Sequence, residues 1–475
     1  MNPLVEVLSR QEIEIIQAST VEVLESVGVE FHHDEALAIL RSGGARVEGS
    51  RVYFPQALLP QVLEKAPERF LLEARNPERS VWIGGPSTVF APPAGCVYVQ
   101  DLDAVRRQAE QRDYFNLLRI IHQSSYFDTN GGGLVMPEIP GVSEQETFAW
   151  MVLAGCWYSD KPQMGLTMGG DIAQTSLEVS EIVFQGRPGC RLLGTVNPDS
   201  PLIYSEKMLE SLLLYARAGQ GLILAPCSMA MATSPTTLAG TLVQNNAEIL
   251  AGIVLSQLIN PGTPVVYGNT STISDMKTMS IALGAPELAL LVGAVNQLAR
   301  YYKLPSRSGG ALTDAKTADF QAGMESMLSM VSTVAAQTSV VLHSAGILDS
   351  FLTLSLEKLV LDEEIGGMAR RFSQGLTINQ DTLAVAEIRS RGPGGHFLDT
   401  NHTLNHFRQE FWNPRLCDRQ PYAPKRDYQR LLLERSHKVW QDRIACYVRP
   451  ALPEGVEQEL RHYYRHKFGV EPELT

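Results

Sequence analysis

The 475-residue sequence has little cysteine, no excess of positive charge and no long unbroken apolar run. Its six cysteines (Cys96, Cys156, Cys190, Cys227, Cys417 and Cys446) are scattered and form no CxxC pair. A disulfide framework and a thiolate zinc site therefore both lack a basis. Each cysteine is expected as a small buried thiol, which fits a reducing cytoplasm. Lysine and arginine number 40 against 52 aspartates and glutamates, a net charge of −12. A nucleic-acid binder needs a basic face, so that role is disfavoured. No run of ~18 apolar residues appears, and no membrane span is expected. Residues 1–14 show no basic region followed by an apolar run, so no leader peptide is expected either. The GxSxG elbow, the P-loop and HExxH are also missing, which removes support for those hydrolase, NTPase and zincin classes.

What is present is a globular composition, 44% apolar and 19% charged, enough for a large core. Charge is richest at the two ends, and the middle is apolar and glycine-rich. Residues 1–75 read as helical, with apolar spacing over Arg10–Val27 and Asp34–Ser42. Residues 80–100 read as β, with turns at Gly84–Pro86 and Pro92–Gly95. From about residue 110 short β-like runs alternate with helices. The runs are Tyr126–Gly132, Gln163–Gly169, Arg191–Asn197, Gly221–Ser228, Pro264–Thr270, Ser306–Thr313 and Ser339–Gly346. Such alternation implies parallel strands joined by right-handed crossovers. Seven units are visible, and an eighth is sought near residues 88–99 or 392–399. Eight would close a (β/α)8 TIM barrel. A doubly wound sheet is the runner-up, but no GxGxxG turn follows a first strand. Length alone suggests about three domains at ~150 residues each. The rhythm reduces these to an N-terminal helical portion, residues 1–85, packed on a barrel with C-terminal helices, residues 86–475.

In a barrel the site lies at the C-terminal ends of the strands. There the sequence offers amides, hydroxyls, glycines and one histidine: Asn130 and Gly131 to Gly133, Thr167 and Met168, Asn197, Ser228, Asn269 and Thr270, Ser308 to Asp314, and His343 to Ala345. The segment Arg307–Ser326 is the densest. Gly309 and Gly310 admit close backbone approach to a ligand, and Asp314, Gln321 and Glu325 follow. Asp319 reads as a helix N-cap. His343 closes an apolar run, where it can donate to a ligand, shuttle a proton or simply be a satisfied core residue. Phe351 either covers the pocket mouth, with a ring face suited to a quaternary ammonium, or packs ordinarily. His402 and His406, at i and i+4, form a possible metal pair, but no third ligand is evident, so packing or capping is favoured and no metal is expected.

At these motifs the sequence resembles the trimethylamine methyltransferase family, in its branch without pyrrolysine. The matching pieces are GAPELALL with ARYYKLPSRSGGALTDAKTADFQAGMES, then VVLHSAGILDSFLTLSLEKLVLDEEI, then GPGGHFLDTNHTLNHFRQEFWNPRLCDR. The resemblance covers most of the chain and is strongest from about residue 260 to 420. It implies a (β/α)8 barrel that moves a methyl group from an amine to the Co(I) corrinoid of a cognate corrinoid protein. It further implies quaternary amines such as glycine betaine, proline betaine or carnitine-like compounds, because this sequence holds only the twenty standard residues. His343 and Phe351 match the family's strand histidine and following aromatic. Asn269, Thr270, Gly310, Asp314, Gln321 and Glu325 are added as substrate-binding candidates from their barrel-rim positions, and Arg307 as a donor that, with His343, could hold the carboxylate of the substrate the resemblance implies. The expected partners are the corrinoid protein, the small amine and further copies of the chain, since large enzymes of this kind often assemble symmetrically. A non-catalytic betaine-binding barrel and a metal-dependent barrel enzyme are the competing readings.

Overall fold

The computed structural model describes residues 5–424 and 427–474, with the side chain of residue 429 excepted. The first four residues of the stretch read for a leader lie outside the described residues. Seven parallel strands form one curled sheet. Their spatial order is Val89–Phe90, Val340–Val341, Ser306–Arg307, Val265–Gly268, Gly221–Leu224, Leu192–Val196 and Gln163–Gly165. From Gln163–Gly165 to Val340–Val341 each strand pairs with the next in sequence, as crossover helices require, whereas Val89–Phe90, the first in sequence, pairs with the last. The strands are buried along their length because helices cover the outer face and side chains fill the inner one. Residues 88–99 hold the sheet strand Val89–Phe90, whereas residues 392–399 carry no strand.

The run Tyr126–Gly132 differs from its expected form. It has no strand ladder, yet it touches both edges of the sheet. The Asp128 amide donates to the Phe90 carbonyl at 2.8 Å, and the Asn130 amide donates to the Pro162 carbonyl at 3.0 Å. The Asp128 carboxylate accepts the Phe90 amide at 2.7 Å, so a side chain takes the place of a backbone rung. The turn before it is fixed by the buried Lys161 ammonium, which donates to the carbonyls of Ile121, Ser124 and Phe127 at 2.8, 2.7 and 2.6 Å. Three carbonyls replace much of the hydration that burial removes from the ammonium. Burial still lowers its pKa to about 8.

The N-terminal stretch read as helical is mixed. It contains helices Arg10–Ser26, Asp34–Ser42 and Leu58–Leu63, and also strands Val29–Phe31, Arg46–Glu48 and Arg51–Tyr53. Val29–Phe31 buries alternate residues and pairs in parallel with Ile203–Tyr204, a loop strand beyond the sheet. Period-2 burial over three residues is too short a signal to stand out against the helical spacing around it. Gly28, at φ +76°, makes the turn into this strand, where a Cβ would meet the Val52 carbonyl at 2.6 Å.

Helix Leu238–Ile259 is the one described helix long and apolar enough to cross a membrane, but 72% of that window is buried inside this chain. Thr237 caps its first turn, and it packs against Arg10–Ser26. Its apolar character is that of a core helix surrounded on all sides. At the carboxyl end, helices Tyr428–Ala445 and Val456–Phe468 lie on the outer helices, and the Trp150 indole and Tyr158 hydroxyl donate to the carbonyls of Glu473 and Leu474.

The seam at residues 127–132 allows a direct test. A Cβ on Gly132 would lie 2.3 Å from the Met164 carbonyl oxygen, a backbone atom that cannot swing aside. Gly132→Ala should lower stability by about 1–3 kcal/mol, read as a drop in melting temperature. An unchanged melting temperature would show that the seam opens at little cost.

Candidate functional site

The C-terminal ends of neighbouring strands bring Asn269, Thr270, Arg307 and His343 together. Arg307 ends its strand fully buried, at 2% exposure. Its Nη1 donates to the Asn269 carbonyl at 2.8 Å and to the Thr270 hydroxyl. Its Nε has no hydrogen-bond partner. Among the described residues no carboxylate forms an ion pair with it, whereas arginines elsewhere, such as Arg107 with Asp113 and Arg443 with Glu363, do have such partners. Burial lowers its pKa to about 10, which leaves it charged at neutral pH. A buried guanidinium without a counter-charge costs several kcal/mol, so it is poised for an anion.

His343 follows strand Val340–Val341 in a left-handed conformation, φ +59°. The turn explains why the expected strand Ser339–Gly346 is cut short. Its Nδ1 accepts the Ala94 amide at 3.3 Å, so the proton of the neutral ring sits on Nε2. Burial first, and then the Arg307 charge, hold its pKa well below the usual imidazole range. The ring is therefore a neutral Nε2–H donor rather than a proton shuttle near neutrality. Gly310 lies behind it at φ +134°, and a Cβ there would meet the His343 carbonyl at 2.6 Å.

Phe351 packs its ring 4.6 Å from that of His343, tilted by 47°. It ends a run of three left-handed residues, Asp349, Ser350 and Phe351, at φ +50°, +51° and +76°. This conformation is held by its surroundings. The Asp349 carboxylate pairs with Arg106 at 2.7 Å and Lys316 at 2.6 Å, and the Ser350 hydroxyl donates to Asp314 at 2.6 Å. Three consecutive strained residues are costly and persist where the surroundings over-determine them.

The remaining candidates serve this scaffold. The Asp314 carboxylate accepts the amides of Leu283 and Gly284 at 2.8 and 2.9 Å. Glu325 accepts from the Asp314 amide at 2.8 Å and from Gln321 Nε2 at 2.8 Å. Asp314, Gln321 and Glu325 are thus engaged in tying two rim loops together, whereas Arg307, His343, Phe351, Asn269 and Thr270 lie at one place. Asp319 caps helix Phe320–Ala335 through the Ala322 amide, as its sequence context suggested.

Two further residues belong to this region. Asn245, on helix Leu238–Ile259, accepts from the Ser228 hydroxyl at 2.8 Å and donates to Asn269 Oδ1 at 3.0 Å. The signal for it was a polar Asn-Asn pair inside an otherwise apolar helix. Cys227 was expected to be buried, but it is solvent-accessible, as are Cys417 and Cys446. Surrounding protein nevertheless raises its thiol pKa, while Arg307 opposes that rise. Its sulfur lies 4.0 Å from the Thr270 carbonyl oxygen, close enough to Arg307 to feel its charge. No spacing pattern marks such a cysteine. Among the described residues no group of three or more His, Cys, Asp or Glu side chains is placed to hold a metal. His402 and His406 stack at 4.4 Å, and His406 pairs with Asp381 at 3.0 Å.

Residues 1–469 match the family described as trimethylamine methyltransferase (MTTB). The chain is 41% identical over 467 residues to a glycine betaine methyltransferase of Desulfitobacterium hafniense (strain Y51), covering 97% of each chain. It is 34% identical to a proline betaine:corrinoid methyltransferase of Eubacterium limosum, covering 96% of each. Its fold is similar to the crystal structure of the Methanosarcina barkeri monomethylamine methyltransferase, with a TM-score of 0.53 at 8% identity, over 94% of this chain and 89% of that one.

The neutrality of His343 can be measured. The unfolded chain takes up a proton near pH ~6.5 and the folded ring does not, so this group's contribution to stability falls as pH drops below that value. Carbon-13 spectra of labelled histidine should show two rings that do not titrate between about pH 5.5 and 8: His122, whose pKa burial lowers to about 4, and His343, whose signal alone is lost in His343→Gln. A normal titration of that signal would overturn the assignment.

Proposed function

Because the chain belongs to the trimethylamine methyltransferase family, we propose that it transfers a methyl group from a small quaternary amine of the betaine type to the Co(I) corrinoid of a partner corrinoid protein. The observation that carries the betaine class is Arg307, a buried cation with an unpartnered Nε and no carboxylate of its own. A betaine supplies the anion that the site lacks. Its carboxylate lies against Arg307, and its methylated nitrogen lies against the ring of Phe351 and the neutral ring of His343. Trimethylamine has no carboxylate and would leave the guanidinium uncompensated.

The acceptor supplies the nucleophile, a Co(I) corrinoid, and the residues of this chain orient and desolvate the donor. A quaternary ammonium departs as a neutral amine, so the step needs no general acid. A histidine held neutral suits such chemistry, because a charged imidazolium would repel the substrate cation. Its Nε2–H can hold the substrate's carboxylate together with Arg307. Asn245 and Ser228 fix Asn269, and Asn269 and Thr270 hold Arg307, so the anion site is rigid before substrate arrives.

The architectural reading that goes with this makes residues 127–131 the eighth stave of a (β/α)8 barrel over residues 86–475, with residues 1–85 packed against it. The hydrogen bonds from Asp128 to Phe90 and from Asn130 to Pro162 support it. A reduced corrinoid acceptor also implies a reducing compartment, which supports the cytoplasm.

The test uses the full chain, a Co(I) corrinoid and a panel of quaternary amines, with loss of Co(I) absorbance as the readout. Glycine betaine and proline betaine should discharge Co(I), and choline, which lacks the carboxylate, should not. Arg307→Met should weaken glycine betaine binding by roughly 30- to 1,000-fold, the range for a lost charge-assisted contact of ~2–4 kcal/mol. Betaine binding without any Co(I) discharge would favour a non-catalytic binding protein. Stoichiometric zinc in the purified protein would favour a metal enzyme.

A further inference from the structure

Asn269, Thr270, Arg307 and His343 are all buried, at 1%, 9%, 2% and 8% exposure. Cys227 is their accessible neighbour. It follows strand Gly221–Leu224 and stands between the buried Pro226 and Ser228. Both flanking residues are tied to the loop that carries Thr270. The Pro226 carbonyl accepts the Thr270 amide at 2.9 Å, and the Ser228 amide donates to the Ser271 hydroxyl at 2.9 Å. The Cys227 sulfur, pinned from both sides, is held 4.0 Å from the Thr270 carbonyl oxygen. The Thr270 hydroxyl is in turn a group to which Arg307 Nη1 donates. Thiol and guanidinium are close enough for each to feel the other's charge.

An accessible thiol is not a site by itself. The second observation is the guanidinium beside it, 2% exposed, with an Nε that has no partner. A short carboxylate drawn from solvent to that cation approaches along the member of the group that solvent reaches. The carbon next to its carboxylate then comes beside the sulfur.

We propose that Cys227 and Arg307 form a directed modification site for short carboxylates that bear a leaving group on the adjacent carbon. The guanidinium seats the carboxylate, and the thiol takes the carbon. With iodoacetate the C–S bond forms as the C–I bond breaks. Iodide departs, the thiol proton goes to water, and no further reactant is needed. The product keeps its carboxylate on Arg307 and so occupies the anion seat. A betaine has the same carboxylate-methylene frame, with trimethylammonium in place of iodide, so Cys227 also borders the carbon that separates the two charges of the donor. The inference rests on the reading of Arg307 as an anion seat and not on methyl transfer.

The full chain is treated with iodoacetate or with neutral iodoacetamide at one pH, and each cysteine is followed by peptide mass spectrometry. The thiolate fraction of a given cysteine is the same for both reagents, so the ratio of the two rates reads the reagent's charge. Cys417 lies beside the Glu364 carboxylate, and Cys446 ends helix Tyr428–Ala445, so both should favour the neutral reagent. At Cys227 the ratio should be shifted toward iodoacetate by about 10- to 150-fold relative to those two, the range of one charge-assisted hydrogen bond. Acetate should slow iodoacetate at Cys227 and leave the other two unchanged. Arg307→Met should abolish the shift while iodoacetamide still labels Cys227. An unshifted ratio at Cys227, or a shift that survives both acetate and Arg307→Met, would overturn the proposal. A shifted ratio in a chain that discharges no Co(I) would uphold it and sink the methyl transfer proposed above; the converse result would sink this site alone.

Discussion

A guanidinium buried with no carboxylate beside it is the constraint around which the candidate site is arranged. Arg307 stands at the end of a central strand, and taking such a charge out of water costs several kcal/mol unless dipoles or a ligand replace the water. The protein supplies only part of that replacement, through the Asn269 carbonyl and the Thr270 hydroxyl. Asn269 is in turn fixed by a polar chain through Asn245 and Ser228 that reaches into the core helix Leu238–Ile259, and the Thr270 amide donates to the Pro226 carbonyl. The remaining capacity of the guanidinium is left for a ligand. The same charge helps to keep His343 neutral, so a single cation shapes both the anion site and the protonation of its neighbour.

The loops around this cation are stiff. Asp314, Glu325 and Asp349 each make two or more charged or backbone contacts between rim loops, and together they hold Phe351 in a left-handed turn against His343. Rigidity suits a reaction in which the chain contributes no nucleophile and no proton, and in which alignment of donor and acceptor is the main source of rate. Flexible loops would forfeit that alignment.

Alternation of apolar runs with helical spacing determined the parallel α/β class, and the six other sheet strands are all found within runs read from the sequence. Val89–Phe90 lay within a segment named as a candidate for the eighth. The strand-end rule then pointed to Asn269, Thr270 and His343, because side-chain type and position along a parallel strand are both written in the sequence, whereas Arg307 entered as a donor for the carboxylate of the implied substrate. The motif after His343 likewise contained Phe351. Tertiary structure alone decided which rim residues face one another. Asp314, Gln321 and Glu325 have the same composition as ligand-binding groups, but Asp314 is taken up by the distant Leu283, Gly284 and Ser350, and Gln321 and Glu325 are taken up by one another and by the loop at residues 313–314. The short strands among residues 29–53 were obscured because their pairing partner lies at Ile203–Tyr204, far along the chain. The accessibility of Cys227 and the isolation of the Arg307 charge are sums over many neighbours, and no local pattern encodes a sum. Local chemistry is carried by the order of residues, whereas burial and the absence of a counter-charge come into existence only when distant segments pack.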